Sequence, residues 1–369
     1  MAEYRNMAKR LWILVVIVFG GLFCLSYLDV ESTQENFLDW EGERVLHTFN
    51  DTADASSDQQ IIELQDANGM PLWFGRHFYK DVCISGKCKM IRLWLFWDGA
   101  GNYLGFQVPE DEPLTKSDHT IFEHKDYIKL DDILKDPSSI LKKLKQEDLV
   151  IIPDSIKNPY ELDGYTAATQ PALAEVVVKD AVYSCHTLWH TVYGPTQQEI
   201  FRLLDERTDA DFLTQMLSSN KSEKIIWAIE TIEKHREYHA EFYPRIIIFI
   251  KSEDDLLAET ALDYFQKDEL KDEQVKKQLV DEMPFFSART NVELIWRLIE
   301  NGGVLEEIFL QLLRFVKEGK LQVTSLNLVY QLYQPDFFEN REIETLLNNF
   351  LKDKDAYVRT LTQKVLEIK

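Results

Sequence analysis

The stretch DGYTAATQPALAEVVV, Asp163 to Val178, sets a polar run of small residues against an apolar segment. Thr169 is placed to cap a helix, with Pro171 in the first turn where a missing N–H costs nothing. Exposed amides and the positive end of a helix would then favour an anion beside Thr169. Ala167 and Ala168 would let a ligand approach the backbone closely. Thr169, with the small residues Ala167 and Ala168 before it, is therefore the candidate seat for a phosphate group, and a self-satisfied cap is the competing account.

Other reactive side chains are sparser. His186 and His190 lie one helical turn apart, the spacing of paired metal ligands. No H-E-x-x-H or C-x-x-C-H accompanies them, so packing is the expected role. Asp118, His119, His124 and Asp126 share one stretch, read either as a metal loop or as a capped helix start. His235 and His239 fall in a charged run that suggests a solvated face. Cys83 and Cys88 flank ISGK, and a hairpin turning at Ser85–Gly86 would set them opposite each other for a cross-strand disulfide. A redox dithiol is the alternative. Cys185 falls on the stripe of Leu173, Val177, Ala181, Leu188 and Val192, as a buried free thiol would.

The heptad Asp163-Gly-Tyr-Thr-Ala-Ala-Thr169 resembles the flavinylation signature Asp-x-x-Ser/Thr-Gly-Ala-Ser/Thr of the FMN-binding domain family, with Ala167 at the glycine position. That family includes the periplasmic flavin subunits of sodium-pumping NADH:quinone reductase and of the ion-translocating ferredoxin reductase complex. The resemblance spans Ile61 to Tyr193. It implies an FMN joined covalently to Thr169 through a phosphoester by a flavin transferase, Asp163 in the transferase-recognised segment, and Thr166 and Ala168 lining the turn. It also implies an electron-carrying subunit rather than a stand-alone enzyme.

Lys and Arg number 41 against 63 Asp and Glu, a net charge of −22, which disfavours nucleic acid. Leu11 to Leu28 carries no charge and as a helix would reach about 27 Å, close to the roughly 30 Å hydrocarbon core of a bilayer. Arg5, Lys9 and Arg10 precede it while Asp29, Glu31 and Glu35 follow, so the positive-inside rule leaves the acidic bulk outside. The expected address is the inner membrane, crossed once, with the C-terminal bulk in the periplasm.

Strand-like runs IIELQ, LWFGRHFYKDVC, CKMIRLWLFW and YLGFQV, broken by turn residues, predict an antiparallel meander, with Lys89 to Trp97 covered on both faces. Helices are expected over Phe37–Phe49, Lys125–Leu134, Ser139–Gln146 and from Thr169 to Gly194. From Thr196, placed as a capping-box residue with Glu199, the pattern is helical. Openings at Ser222, Asp254, Thr290, Val323 and Asp355 are spaced by 32, 36, 33 and 32 residues. Between them lie second helices such as DEQVKKQLVDEM and LEEIFLQLLRFV, the signature of an α-solenoid, and the last unit looks like a HEAT repeat.

The sequence thus predicts an α+β chain. A cytoplasmic tail (1–10) and anchor (11–28) precede a helix and linker (29–60), an FMN-binding-like antiparallel-sheet domain (61–195) and a HEAT-like solenoid (196–369). Two functions follow: a membrane-anchored FMN electron carrier, or a flavin-free envelope scaffold that docks a protein partner through the solenoid.

Overall fold

The computed structural model describes residues 35–52, 54–82, 89–151 and 168–367. The apolar segment Leu11–Leu28, the cysteines Cys83 and Cys88, and the motif residues Asp163, Thr166 and Ala167 lie outside them. Among the described residues no helix is long and apolar enough to cross a membrane. The chain is α+β and divides into two units between Phe201 and Arg202.

Tight turns shape the first unit. Asp66 accepts hydrogen bonds from the amides of Asn68 and Met70, and Asp98 does the same for Ala100 and Asn102. Such Asx turns fold a chain back on itself at minimal length. The result is an antiparallel meander of five strands: β1 (Glu43–Thr48), β2 (Gln60–Gln65), β3 (Pro71–Lys80), β4 (Ile91–Asp98) and β5 (Tyr103–Gln107), paired in chain order. Because side chains alternate along a strand, the β3–β4 register groups Phe74, Arg76 and Phe78 with Trp97, Leu95 and Leu93 on one face. Trp73 and Phe96 fall on the other, where Phe37 and Leu64 complete a buried cluster with Trp40 and Trp94 at its edge. In β4, Leu93, Leu95, Phe96 and Trp97 are buried, whereas Arg92 is exposed and Trp94 half-buried.

The first face is covered by helices. α1 (His124–Lys135) packs on β5 and on α2 (Val182–Val192). The Trp97 indole N–H donates to the Val192 carbonyl at 3.1 Å. Tyr193 donates to the carbonyl of Leu134, at the end of α1, and Trp189 to that of Asp136 just beyond it.

Four local expectations are corrected. Phe37–Phe49 is a 3-10 turn, Phe37–Asp39, followed by β1, not one helix. An isolated helix of that length is marginal without a surface to bury, whereas β2 offers Glu43–Thr48 a full ladder. Ser139–Gln146 forms 3-10 turns at Ile140–Lys143 and Gln146–Asp148. No helix starts after Thr169: Ala168–Thr169 is a short strand, β7, antiparallel to β6 (Val150–Ile151). Turns then occupy the chain up to α2. Finally, α3 (Pro195–Glu206) begins one residue before Thr196, so Thr196 sits inside the helix and not at its cap.

The second unit is helical, and its helix starts are written in local capping chemistry. Asp209, Asp254, Asp272, Ser287, Asn340 and Asp355 each accept a hydrogen bond from a first-turn amide. The helices are α4 (Ala210–Leu217), α5 (Ser222–Lys234), α6 (His239–Phe249), α7 (Asp255–Asp263), α8 (Glu273–Glu282), α9 (Ala288–Glu300) and α10 (Glu306–Lys317). They continue with the short α11 (Leu326–Val329), α12 (Arg341–Phe350) and α13 (Ala356–Leu366). Openings expected at 222, 254, 323 and 355 fall within a residue of observed helical starts. The one expected at Thr290 begins earlier, because Ser287 takes the cap and accepts from the Thr290 amide.

Two rows of contact organise these helices. In one, α5 packs on α7, α9 on α11 and α11 on α13; in the other, α6, α8, α10 and α12 follow in succession. Leu257, Leu294, Leu298, Leu279, Phe309, Leu313 and Leu347 fill the unit's interior. Burial of this kind, about 25 cal/mol per Å² of apolar surface, is what holds short helices together when propensity alone cannot.

Candidate functional site

Thr169 pairs with Val150 across the β6–β7 ladder, and the Gln170 amide donates to the Leu149 carbonyl at 3.1 Å. The following amides turn inward on their own segment. Leu173 donates to the Gln170 carbonyl, Ala174 to Pro171, Val177 to Leu173, and Val178 to the Cys185 sulfur. α2 starts only at Val182, so its positive end is not beside Thr169. The helix-mouth seat for a phosphate therefore does not fit these residues. The Thr169 side chain is half-buried, and its hydroxyl has no hydrogen-bond partner among the described residues.

His186 and His190 do come together, with ring centroids 4.3 Å apart, but each ring meets a carbonyl rather than a metal position. His186 Nε2 is 2.8 Å from the Leu144 oxygen and His190 Nε2 is 3.1 Å from that of Leu141. A nitrogen facing a carbonyl carries the proton and has no lone pair to give. Burial holds the His186 pKa below its ordinary value, assisted by neighbouring His190. The pair thus fastens α2 to the 3-10 segment Ile140–Lys143. Cys185 is fully buried, and desolvation pushes its thiol up to about 12, which leaves it unreactive.

The Asp118–Asp126 stretch spends its ligands on structure. Asp118 accepts from Thr120, and Asp126 pairs with Lys116 at 2.8 Å while accepting from the Glu123 amide. Among the described residues no three His, Cys, Asp or Glu side chains converge as metal ligands would. His239 is not on a solvated face: it stacks on Tyr243 and Tyr264, with Nδ1 2.5 Å from the Tyr264 hydroxyl.

Two features escape the sequence motifs. One is Arg76, fully buried on β3. Its guanidinium donates to Asp51 and Thr196 at 2.8 Å each, and to the Asp58 carbonyl at 2.7 Å. The rings of Phe49 and Phe78 lie within 5.0 Å and 4.8 Å of its carbon. An arginine at an inward position of an otherwise apolar strand was the available signal.

The other is a groove in the helical unit. The row of α5, α7, α9 and α11 opens between α7 and α9 into a groove of about 800 Å³. Asp255, Glu259 and Asp263 line it from α7, Arg289, Glu293 and Arg297 from α9, with Phe285 at the edge. Arg297 closes one end, donating to the Leu262 carbonyl at 2.7 Å and to Asp263 at 2.6 Å. Phe285 is 67 % exposed, with Lys251 over its ring at 5.4 Å. A smaller cavity, lined by Lys221, Ser222, Glu223, Ile226, Asp254 and Leu256, lies between α5 and the start of α7. Neither was legible locally, since a groove is made by the spacing of two helices. Comparison with protein-family models, with curated proteins and with solved structures finds no match to this chain.

Proposed function

We propose that this chain is a docking protein whose helical unit is a HEAT-like α-solenoid receiving a partner protein. Leu11–Leu28 is its anchor in this reading, with the bulk of the chain on the periplasmic side of the inner membrane. The observation that carries it is the opened α7–α9 step. At this step a groove of about 800 Å³ stands open, with the exposed ring of Phe285 at its edge. The test is a photo-crosslinking phenylalanine analogue placed at Phe285 in the native host. A discrete ultraviolet-dependent adduct is expected there and not at exposed Lys317. No adduct, or the same adducts at both positions, would refute the docking role.

A second reading, the FMN carrier, is favoured by the Thr169 hydroxyl, unpartnered among the described residues, together with the Asp163–Thr169 heptad. Thr169 would hold the group by an ester, and the flavin would supply the redox chemistry. Protein from cells that also make a flavin transferase should carry the mass of one FMN, lost in Thr169→Ala. An unmodified mass from the protein's own host would remove this reading.

A further inference from the structure

The charge pattern of the groove says what kind of segment it accepts. Asp255, Glu259 and Asp263 stand at four-residue intervals along α7, so all three carboxylates share the face that lines the groove. Like charges at this spacing destabilise a helix by a few tenths of a kcal/mol per pair. Asp263 is relieved by Arg297 at 2.6 Å, but among the described residues Asp255 and Glu259 have no cationic partner. On the other wall Arg289, also without a partner, is exposed near Thr290, while Glu293 is held by Arg297. Lys251, over the Phe285 ring, is already engaged by Glu282 at 3.2 Å. The groove therefore combines two carboxylates, Asp255 and Glu259, and the Arg289 guanidinium opposite them, all unpaired among the described residues, with an exposed aromatic ring. Next to Asp255 on α7, Leu256 is 63 % exposed and lines the second cavity, between α5 and α7.

Resting on the docking reading above, we infer that the groove takes an extended segment of the partner protein in which basic side chains alternate with bulky apolar ones. A lysine or arginine of the segment lies between Asp255 and Glu259. Its apolar neighbour covers Phe285, and the next continues over Leu256 into the second cavity. Arg289 meets the segment's carbonyls or an acidic residue. Alternation suits an extended chain, whose successive side chains point to opposite sides. Charge complementarity of this sort fixes register and favours one class of partner over another.

The probe is a fluorescently labelled hexapeptide of alternating phenylalanine and arginine, titrated into the full chain and read by anisotropy. Its counterpart with glutamate for arginine serves as control. Binding of the arginine peptide alone is expected. The double variant Asp255→Lys with Glu259→Lys should weaken it by about tenfold or more, and Phe285→Ser should weaken it too. Asp336→Lys with Glu339→Lys makes the same charge change at exposed positions away from the groove and should leave binding unaltered. Equal loss in both double variants would show only general attraction to an acidic chain and would overturn the inference, as would failure of the arginine peptide to bind. All variants change exposed side chains, and unchanged thermal unfolding verifies that they fold. The two readings fail separately. If the Phe285 crosslink forms in the host and survives Asp255→Lys with Glu259→Lys, docking stands and the basic segment is wrong; if no crosslink forms at all, docking itself fails.

Discussion

The sheet unit and the helical unit are stabilised over different lengths of chain. Arg76 joins residues 25 and 120 positions away, and the β3–β4 ladder sets the faces that α2 must cover. In the helical unit the caps act within three residues. Its cross-helix ion pairs, Arg297 to Asp263 and Arg314 to Glu342, span 34 and 28 positions, about one repeat. One unit depends on a few distant polar and aromatic contacts, the other on many near ones. A defect should therefore spread through the first and stay local in the second.

The sharpest way to break this contrast is Arg76→Met. Removing a guanidinium that is fully buried takes the arginine partner from the buried Asp51 carboxylate and the hydrogen bonds from Thr196 and the Asp58 carbonyl, a loss expected at about 3–5 kcal/mol. Hydrogen exchange should show lowered protection across β1–β5 and α2 together. A loss below about 1 kcal/mol would mean that Arg76 does not hold the unit together. Leu294→Ala in α9 should cost about 2–5 kcal/mol through the cavity left behind. Its exchange signature should be confined to α9 and the helices touching it, with α13 protected as before. Uniform loss of protection across α4–α13 would contradict the near-neighbour picture.

A smaller effect sharpens the sheet side. At Gly105 an added Cβ would stand 2.7 Å from the Phe37 ring, so Gly105→Ala should cost about 1–3 kcal/mol by overpacking. Urea titration measures it, and an unchanged midpoint would mean the Phe37–Asp39 turn yields freely.

The smallest effect concerns pH. Burial depresses the His186 pKa, so the unfolded chain takes up this proton first and its contribution to stability is full at neutral pH. That contribution falls as pH drops below about 6.5 and on toward the folded-state value. His186→Gln keeps a donor for the Leu144 carbonyl and should flatten that part of the profile for the sheet unit, with no change in the helical unit. An unaltered slope would assign the acid sensitivity elsewhere.

The same difference in range explains what could be read from residues alone. The helix starts near Ser222, Asp254, Val323 and Asp355 were legible because an aspartate cap or a polar break followed by a 3.6-residue apolar period is a local instruction. The strands β2 to β5 were legible because Asp66–Gly69 and Asp98–Gly101 announce their turns. Glu43–Thr48 was not, since its sequence suits a helix equally well and only β2 decides between them. Thr169 was misplaced for a related reason: Pro171 and the alanines signal a helix, yet pairing with Val150 claims the backbone first. His186 is buried in the packing of α2 while His190 is exposed, and the carbonyls the two rings meet belong to turns some forty-five residues earlier.

By itself, the sequence determined the acidic balance, the meander, the periodic helices and the buried thiol of Cys185, all of which follow from composition, turn chemistry or hydrophobic period. Tertiary structure alone decided the Arg76 node, the strand at Thr169 and the groove between α7 and α9. Each of these is a distance between segments that no local pattern encodes, fixed only when the competing backbone and side-chain partners of the whole unit are satisfied together.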